Sequence, residues 1–76
     1  MYEELIAIDA NVCNGKPCIK GTRILVSSIL SQLAAGYNFD EIKAGYLELM
    51  DQYILASLEY ARTVVEDEYV YLVSVA

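Results

Sequence analysis

Asn14-Gly15-Lys16-Pro17-Cys18-Ile19-Lys20-Gly21-Thr22-Arg23-Ile24 is the stretch whose folding decides the rest of the chain. Two glycines and the single proline bracket the apolar pair Cys18-Ile19. Gly15 and Gly21 can take positive φ at little steric cost, so each marks a turn. Pro17 fixes its own φ and pushes Lys16 towards an extended conformation. Between the turns there is room for one short strand, too short to stand alone. Of the chain's five basic residues, Lys16, Lys20 and Arg23 fall here. The expected element is a small cationic ribbon hinged on glycine.

Upstream, Leu5-Ile6-Ala7-Ile8 is an apolar run that ends at the turn-forming Asp9-Ala10-Asn11. It reads as a strand, and it can pair with a second short strand over Pro17–Ile19. Downstream the period changes. Val26, Ile29, Leu30, Leu33 and Ala34 form one stripe of an amphipathic helix, and Gly36 suits its left-handed C-terminal cap. Asn38-Phe39-Asp40-Glu41 has the pattern of a capping box, with Tyr37 and Ile42 placed for a hydrophobic staple. It opens a short second helix, Phe39 to Ala44, that stops near Gly45. A third helix is expected from Met50 or Asp51 to about Val64. Its inner stripe would be Tyr53, Ile54, Leu58 and Ala61, continued by Val65. Three helices, with a tight turn between the second and third, form a helix-turn-helix layout.

After Glu66-Asp67-Glu68 comes Tyr69-Val70-Tyr71-Leu72-Val73-Ser74-Val75. β-branched and aromatic residues dominate, so a C-terminal strand is expected. Both of its faces are apolar, so it should be covered on each side by another chain. The fold class is therefore mainly α with a small β element, in a single domain. Residues 1–24 form the ribbon, 25–65 the three-helix core and 66–76 the strand.

A domain of 76 residues buries only about 60% of its unfolded surface. This one answers with an apolar share of 57%, more than a lone small domain can hide. A homodimer or another partner is expected on that ground, with Tyr69, Tyr71, Leu72, Val73 and Val75 as its interface. The net charge of −6 is unevenly placed. Residues 13–36 carry the three ribbon cations and no acid, while eight acids face Lys43 and Arg62 in the residues that follow. A uniformly acidic chain would be a poor ligand for nucleic acid, but the local basic patch keeps DNA open as a partner.

Chemistry is harder to find. There is no histidine, and Cys13 and Cys18 alone cannot complete a tetrahedral zinc site. The two thiols could bridge across the turn, or stay reduced in a cytoplasm. Asp40 and Glu41 are better explained as a helix cap than as a catalytic pair. The phosphate-loop spacing is absent. The chain is expected not to be an enzyme and to need no cofactor. The acidic start Met1-Tyr2-Glu3-Glu4 is unlike a secretory leader, and no apolar run approaches a membrane span, so the cytoplasm is the expected location. The seven tyrosines lie mostly away from the cations and read as packing residues.

The run Gly15 to Ile24, then Val26, Ile29-Leu30 and Leu33-Ala34-Ala35-Gly36, resembles domain-of-unknown-function family 433. That family shows G-K-P-x-I-[RK]-G-T-R-I followed by V-x-x-I-L and L-A-x-G. The resemblance covers roughly residues 5 to 61 and is most specific in its first half. It implies a homeodomain-like helix-turn-helix core and an antitoxin role, with a PIN-like ribonuclease as the protein partner. The chain departs from the family at Tyr46-Leu47, where relatives have Tyr-Pro, and at Met50, where they have a Thr or Ser cap. Two functional readings follow. In one, Lys16, Lys20 and Arg23 contact the phosphates of DNA such as the chain's own promoter. In the other, the chain is a homodimeric protein-interaction module that binds no DNA. The structural alternative for the cations is that Thr22 and Arg23 hydrogen-bond across the turn, with Arg23 pairing to Asp9 or Asp40.

Overall fold

The backbone of Cys18 and Ile19 is hydrogen-bonded along both edges, and this ties the first third of the chain together. The computed structural model describes the backbone of residues 4–75 and side chains as far as residue 67. Strand β1 (Ile6–Ala7) pairs antiparallel with β2 (Cys18–Ile19), Ile6 opposite Ile19 and Ala7 opposite Cys18. Lys20 N–H extends the pairing to the Leu5 carbonyl at 2.8 Å. On its other edge β2 meets the segment that enters the first helix. Cys18 bridges to Leu25, Ile19 N–H donates to the Ile24 carbonyl at 2.9 Å, and Val26 N–H donates to the Pro17 carbonyl at 3.0 Å. Cys18 and Ile19 can therefore be buried without orphaning a backbone group.

Both strands are shorter than the sequence pattern suggested. The chain already turns at Asp9, whose carbonyl accepts from Val12 N–H at 2.9 Å and whose Oδ1 accepts from Asn11 N–H at 2.8 Å. Pro17 has no N–H to give to a ladder. Between the strands lies a one-turn 3-10 helix, Cys13–Gly15, in which Cys13 (φ 53), Asn14 (φ 57) and Gly15 (φ 81) are all left-handed. Asn14 tolerates that region, whereas Cys13 is held there by its surroundings.

Helix α1 (Val26–Ala34) buries Val26 and Ile29. It ends as its sequence predicts. Gly36, at φ 97, lets Tyr37 N–H reach the Gln32 carbonyl and Gly36 N–H reach the Leu33 carbonyl, each at 3.0 Å. This is a Schellman motif, open to a residue without a Cβ penalty. Helix α2 (Phe39–Ala44) carries the expected capping box: Glu41 N–H donates to Asn38 Oδ1 and Asn38 N–H to Glu41 Oε1, both at 2.8 Å. The turn that follows is held from three sides. Leu49 plugs into the core. Gln32 Nε2 on α1 donates to the Tyr46 hydroxyl at 3.2 Å. Lys43 on α2 pairs with Asp51 at 2.7 Å, at the start of the third helix. The Asp51 hydrogen bond holds the Lys43 ammonium above its ordinary value. The pair's stabilisation is thus complete below the ordinary lysine range and is lost as pH rises through the raised value.

The core is built from Ile19, Ile24, Ile29, Ile42, Leu49 and Ile54, with Ile6, Leu33, Phe39, Tyr46 and Tyr53 packed against it. Isoleucine dominates, and its stiff χ1 helps a small core adopt one packing. The molecule is thus mainly helical, three helices with a two-stranded antiparallel sheet.

The C-terminal strand expected over Tyr69–Val75 is not there. Helix α3 runs unbroken from Asp51 to Val75, 25 residues, rather than ending near Val64. No glycine or proline lies between Val64 and Val75 to stop it. Arg62 also pairs with Glu66 at 2.6 Å across one turn. A helix closes its own backbone hydrogen bonds, whereas a strand here would need a neighbour that the chain does not supply. The side chains of Tyr69, Tyr71, Leu72, Val73 and Val75 lie outside the described residues. The inner row of α3 also differs from expectation. Ile54, Ala56 and Ser57 are buried, while Leu58 (40% exposed) and Val65 (60%) turn outward. Small Ala56 and Ser57 let α3 lie close on the core, and the buried Ser57 hydroxyl donates to the Tyr53 carbonyl at 2.9 Å.

Two substitutions separate backbone from packing effects. Gly36→Ala has open space for its Cβ, so only the left-handed backbone should count, at about 1–2 kcal/mol. Ile42→Ala, at a fully buried site, should cost about 2–5 kcal/mol. Urea titrations followed by circular dichroism read both.

Candidate functional site

The turn Ile19–Ile24 carries two of the three ribbon cations, and its geometry is locked by one threonine. Thr22 N–H donates to the Ile19 carbonyl at 3.0 Å, and the Thr22 hydroxyl donates to the same carbonyl at 2.8 Å. The hydroxyl oxygen accepts in turn from Ile24 N–H at 3.0 Å. Gly21 sits at φ 81, the left-handed region that this tight turn requires. Lys20 and Arg23 flank Gly21-Thr22, so both project from a fixed frame. Lys16 leaves the left-handed turn just before Pro17, its N–H donating to the Cys13 carbonyl at 3.1 Å.

All three cations are exposed. Among the described residues none of them takes part in an ion pair: the pairs formed are Lys43 with Asp40 and Asp51, and Arg62 with Glu59 and Glu66. Arg23 therefore pairs with neither Asp9 nor Asp40; Asp40 instead pairs with Lys43, three residues on in the same helix, at 3.5 Å. Arg62 is held above its ordinary value, first by its hydrogen bond to Glu59. The basic residues thus divide cleanly. The two in the helices are paired with acids of their own chain, and the three in the ribbon enter no ion pair among the described residues.

The ribbon also borders a hollow of about 690 Å³, lined in part by Asp9, Cys18, Lys20, Thr22, Arg23 and Glu48. Two cations and two carboxylates share its rim, so it is not a simple anion cup. Glu48, in the turn before α3, is the residue that sequence reasoning missed, since nothing in its spacing links it to the ribbon. The thiols are structural neighbours here. Cys13 Sγ donates to the Arg23 carbonyl at 3.7 Å, and burial, with the Cys13 thiol beside it, pushes the Cys18 thiol up. Both cysteines are free, and no group of three or more His, Cys, Asp and Glu among the described residues could hold a metal ion.

The exposed side of α3 is different in character. Asp51, Gln52, Leu55, Leu58 and Arg62 face solvent along its first three turns. No described helix is long and apolar enough to cross a membrane.

A small helical domain with a hairpin ribbon and a locked K-G-T-R turn defines a recognisable class. The pattern of DUF433, described as a protein of unknown function, matches residues 6–61, and the chain belongs to that family. A solved structure of a DUF433 member from Anabaena variabilis superposes with a TM-score of 0.75 at 28% identity. That similarity covers 83% of this chain and 62% of the other, so the chain spans less than two thirds of that relative. Among curated proteins, none matches the chain.

Thr22→Val removes both hydroxyl bonds and leaves Ile24 N–H unpaired. It should cost about 1–3 kcal/mol, and Thr22→Ser should recover most of it. Chemical denaturation of the two variants checks this.

Proposed function

We propose that the chain is a small DNA-contacting regulator of the antitoxin type, built on a homeodomain-like helix-turn-helix core. The observation that carries this reading is the segregation of charge. Lys16, Lys20 and Arg23 are exposed and enter no ion pair among the described residues, on a frame that holds two of them still. Phosphate contacts need free cations at fixed positions, and the ribbon supplies them. The helix that would enter the major groove supplies none. Its outward face offers Asp51, Gln52, Leu55 and Glu59, and its one cation is already held by two carboxylates. Phosphates would repel that face, so the ribbon makes the DNA contact.

The protein partner in this reading is a PIN-like ribonuclease, and α3 beyond the core is the arm that meets it. Two boundaries coincide there. The family match ends at residue 61, and from Arg62 to Asp67 the side chains are exposed apart from Thr63. An acidic, apolar helical arm suits a groove with a basic rim, so docking is by helix in groove rather than by strand addition. Tyr69, Tyr71, Leu72, Val73 and Val75 belong to this arm.

Each half of the reading has its own test. Binding to a duplex from the chain's own promoter should show a log–log salt slope of about −0.9 per phosphate contact, near −3 for three cations. Alanine at Lys16, Lys20 and Arg23 together should flatten it. Unchanged binding in that variant refutes the ribbon assignment, and no binding at low salt favours the DNA-free interaction module. A ribonuclease encoded beside the gene should co-purify with the full chain but not with one ending at Glu68. Retained capture by the shortened chain contradicts the arm assignment.

A further inference from the structure

Cys13 and Cys18 stand five residues apart in sequence, yet their thiols are hydrogen-bonded to each other. The left-handed turn Cys13–Gly15 makes the meeting possible by doubling the chain back on itself. Cys18 is buried in β2, Cys13 is half-buried, and both are free thiols. A buried thiol packs as a small apolar group and needs only carbon around it. Here it touches a second sulfur, on a residue held at φ 53, where a side chain with a Cβ is uncommon.

Cys13 makes one more contact. Its Sγ donates to the Arg23 carbonyl at 3.7 Å. A line of contacts therefore runs from Cys18 through Cys13 to the backbone of the K-G-T-R turn. Lys16 lies inside the loop that the two sulfurs would close, and Arg23 lies at the end of the line. Two of the ribbon cations are thus tied to the state of this pair.

We propose that Cys13 and Cys18 form an oxidisable pair, closed to an internal disulfide by a low-molecular-weight disulfide, and that closure changes the backbone at Arg23. Cys13, the more exposed, meets the oxidant first. Its thiolate attacks one sulfur of the small disulfide, forms a mixed disulfide and expels one small thiolate. Cys18 then gives its proton to solvent, and its thiolate attacks the Cys13 sulfur. The second small thiolate leaves. The protein has lost two hydrogens with their two electrons, and the small disulfide has become two thiols. Burial works against the Cys18 thiolate, so the second step is the slower. Once the sulfurs are joined, Cys13 has no proton to donate and the Arg23 carbonyl loses that partner. None of this depends on what the ribbon binds.

Exposure of the folded full chain to oxidised glutathione, followed by intact mass and peptide mapping, tests the proposal. The expected course is one glutathione adduct on Cys13 that rises and then decays. It should leave a chain two hydrogens lighter, with Cys13 joined to Cys18. Cys18→Ala should stop at a stable adduct on Cys13, and Cys13→Ser should stay unmodified. If Cys18→Ala fails to fold, Cys13→Ser and the time course of the unaltered chain still decide. In the oxidised chain the amide signals of residues 13–18 and of Ile24, which shares a peptide bond with the Arg23 carbonyl, should shift. Those of α2 should not. A native chain that keeps both thiols while the urea-unfolded chain closes the bridge overturns the proposal. So does a lasting adduct on the unaltered chain, a bridge between two chains, or an internal bridge that leaves the Ile24 amide unmoved.

Discussion

Two buried residues, Cys18 and Ile19, give and receive backbone hydrogen bonds along both edges, and the rest of the molecule is arranged around that. One edge is taken by β1 and the other by the segment that enters α1. The arrangement lets an apolar strand of two residues go under without stranding a polar group. It places the Ile19 side chain in the core with Ile29, Ile42 and Ile54. It also fixes the geometry of the turn that follows, because Ile19 and Ile24 are joined to each other as well as to Thr22. A tight turn whose two ends are anchored in a core is a rigid mount for the side chains on its outside. Lys20 and Arg23 are those side chains.

The acids and bases of the helices are arranged differently. Lys43 and Arg62 each hold two carboxylates, and these pairs stiffen a turn or a helix rather than facing a ligand. Exposed pairs of this kind add little stability, but they remove two cations from the surface. What remains is an uneven distribution of charge: a ribbon that carries three cations outside any ion pair among the described residues, and a helix whose cation is held by acids. Those two faces are the ones the proposed reading assigns to a polyanion and to a protein.

Much of this could be read from residue types. Gly15, Gly21 and Gly36 announced left-handed turns because no other residue enters that region so freely, and all three are there. Asn38 and Glu41 announced the start of α2 because the capping box is a local device that needs no tertiary help. The clustering of Lys16, Lys20 and Arg23 was plain in the order of residues. That they enter no ion pair among the described residues was not, since it depends on where the turn sets them relative to Asp9 and Glu48. The end of α3 was misread for a related reason. Tyr69 to Val75 has the composition of a strand, but strand propensity is realised only against a neighbouring strand, and a helix needs none. Leu58 and Val65 were assigned to the core by their period alone. A helix that outruns its core presents apolar residues on more than one side, and period cannot say which side is covered. Glu48 enters the ribbon's surroundings through the path of the turn before α3, a relation with no local signal.

The central claim is that the ribbon, and not α3, is the surface that meets nucleic acid. Amide chemical-shift mapping tests it most directly, with a short duplex added to labelled protein at low salt. The account predicts shifts confined to residues 16–24 and their β1 neighbours, with the amides of Asp51 to Arg62 unmoved. Shifts centred on α3, or no shifts anywhere at saturating duplex, would contradict it.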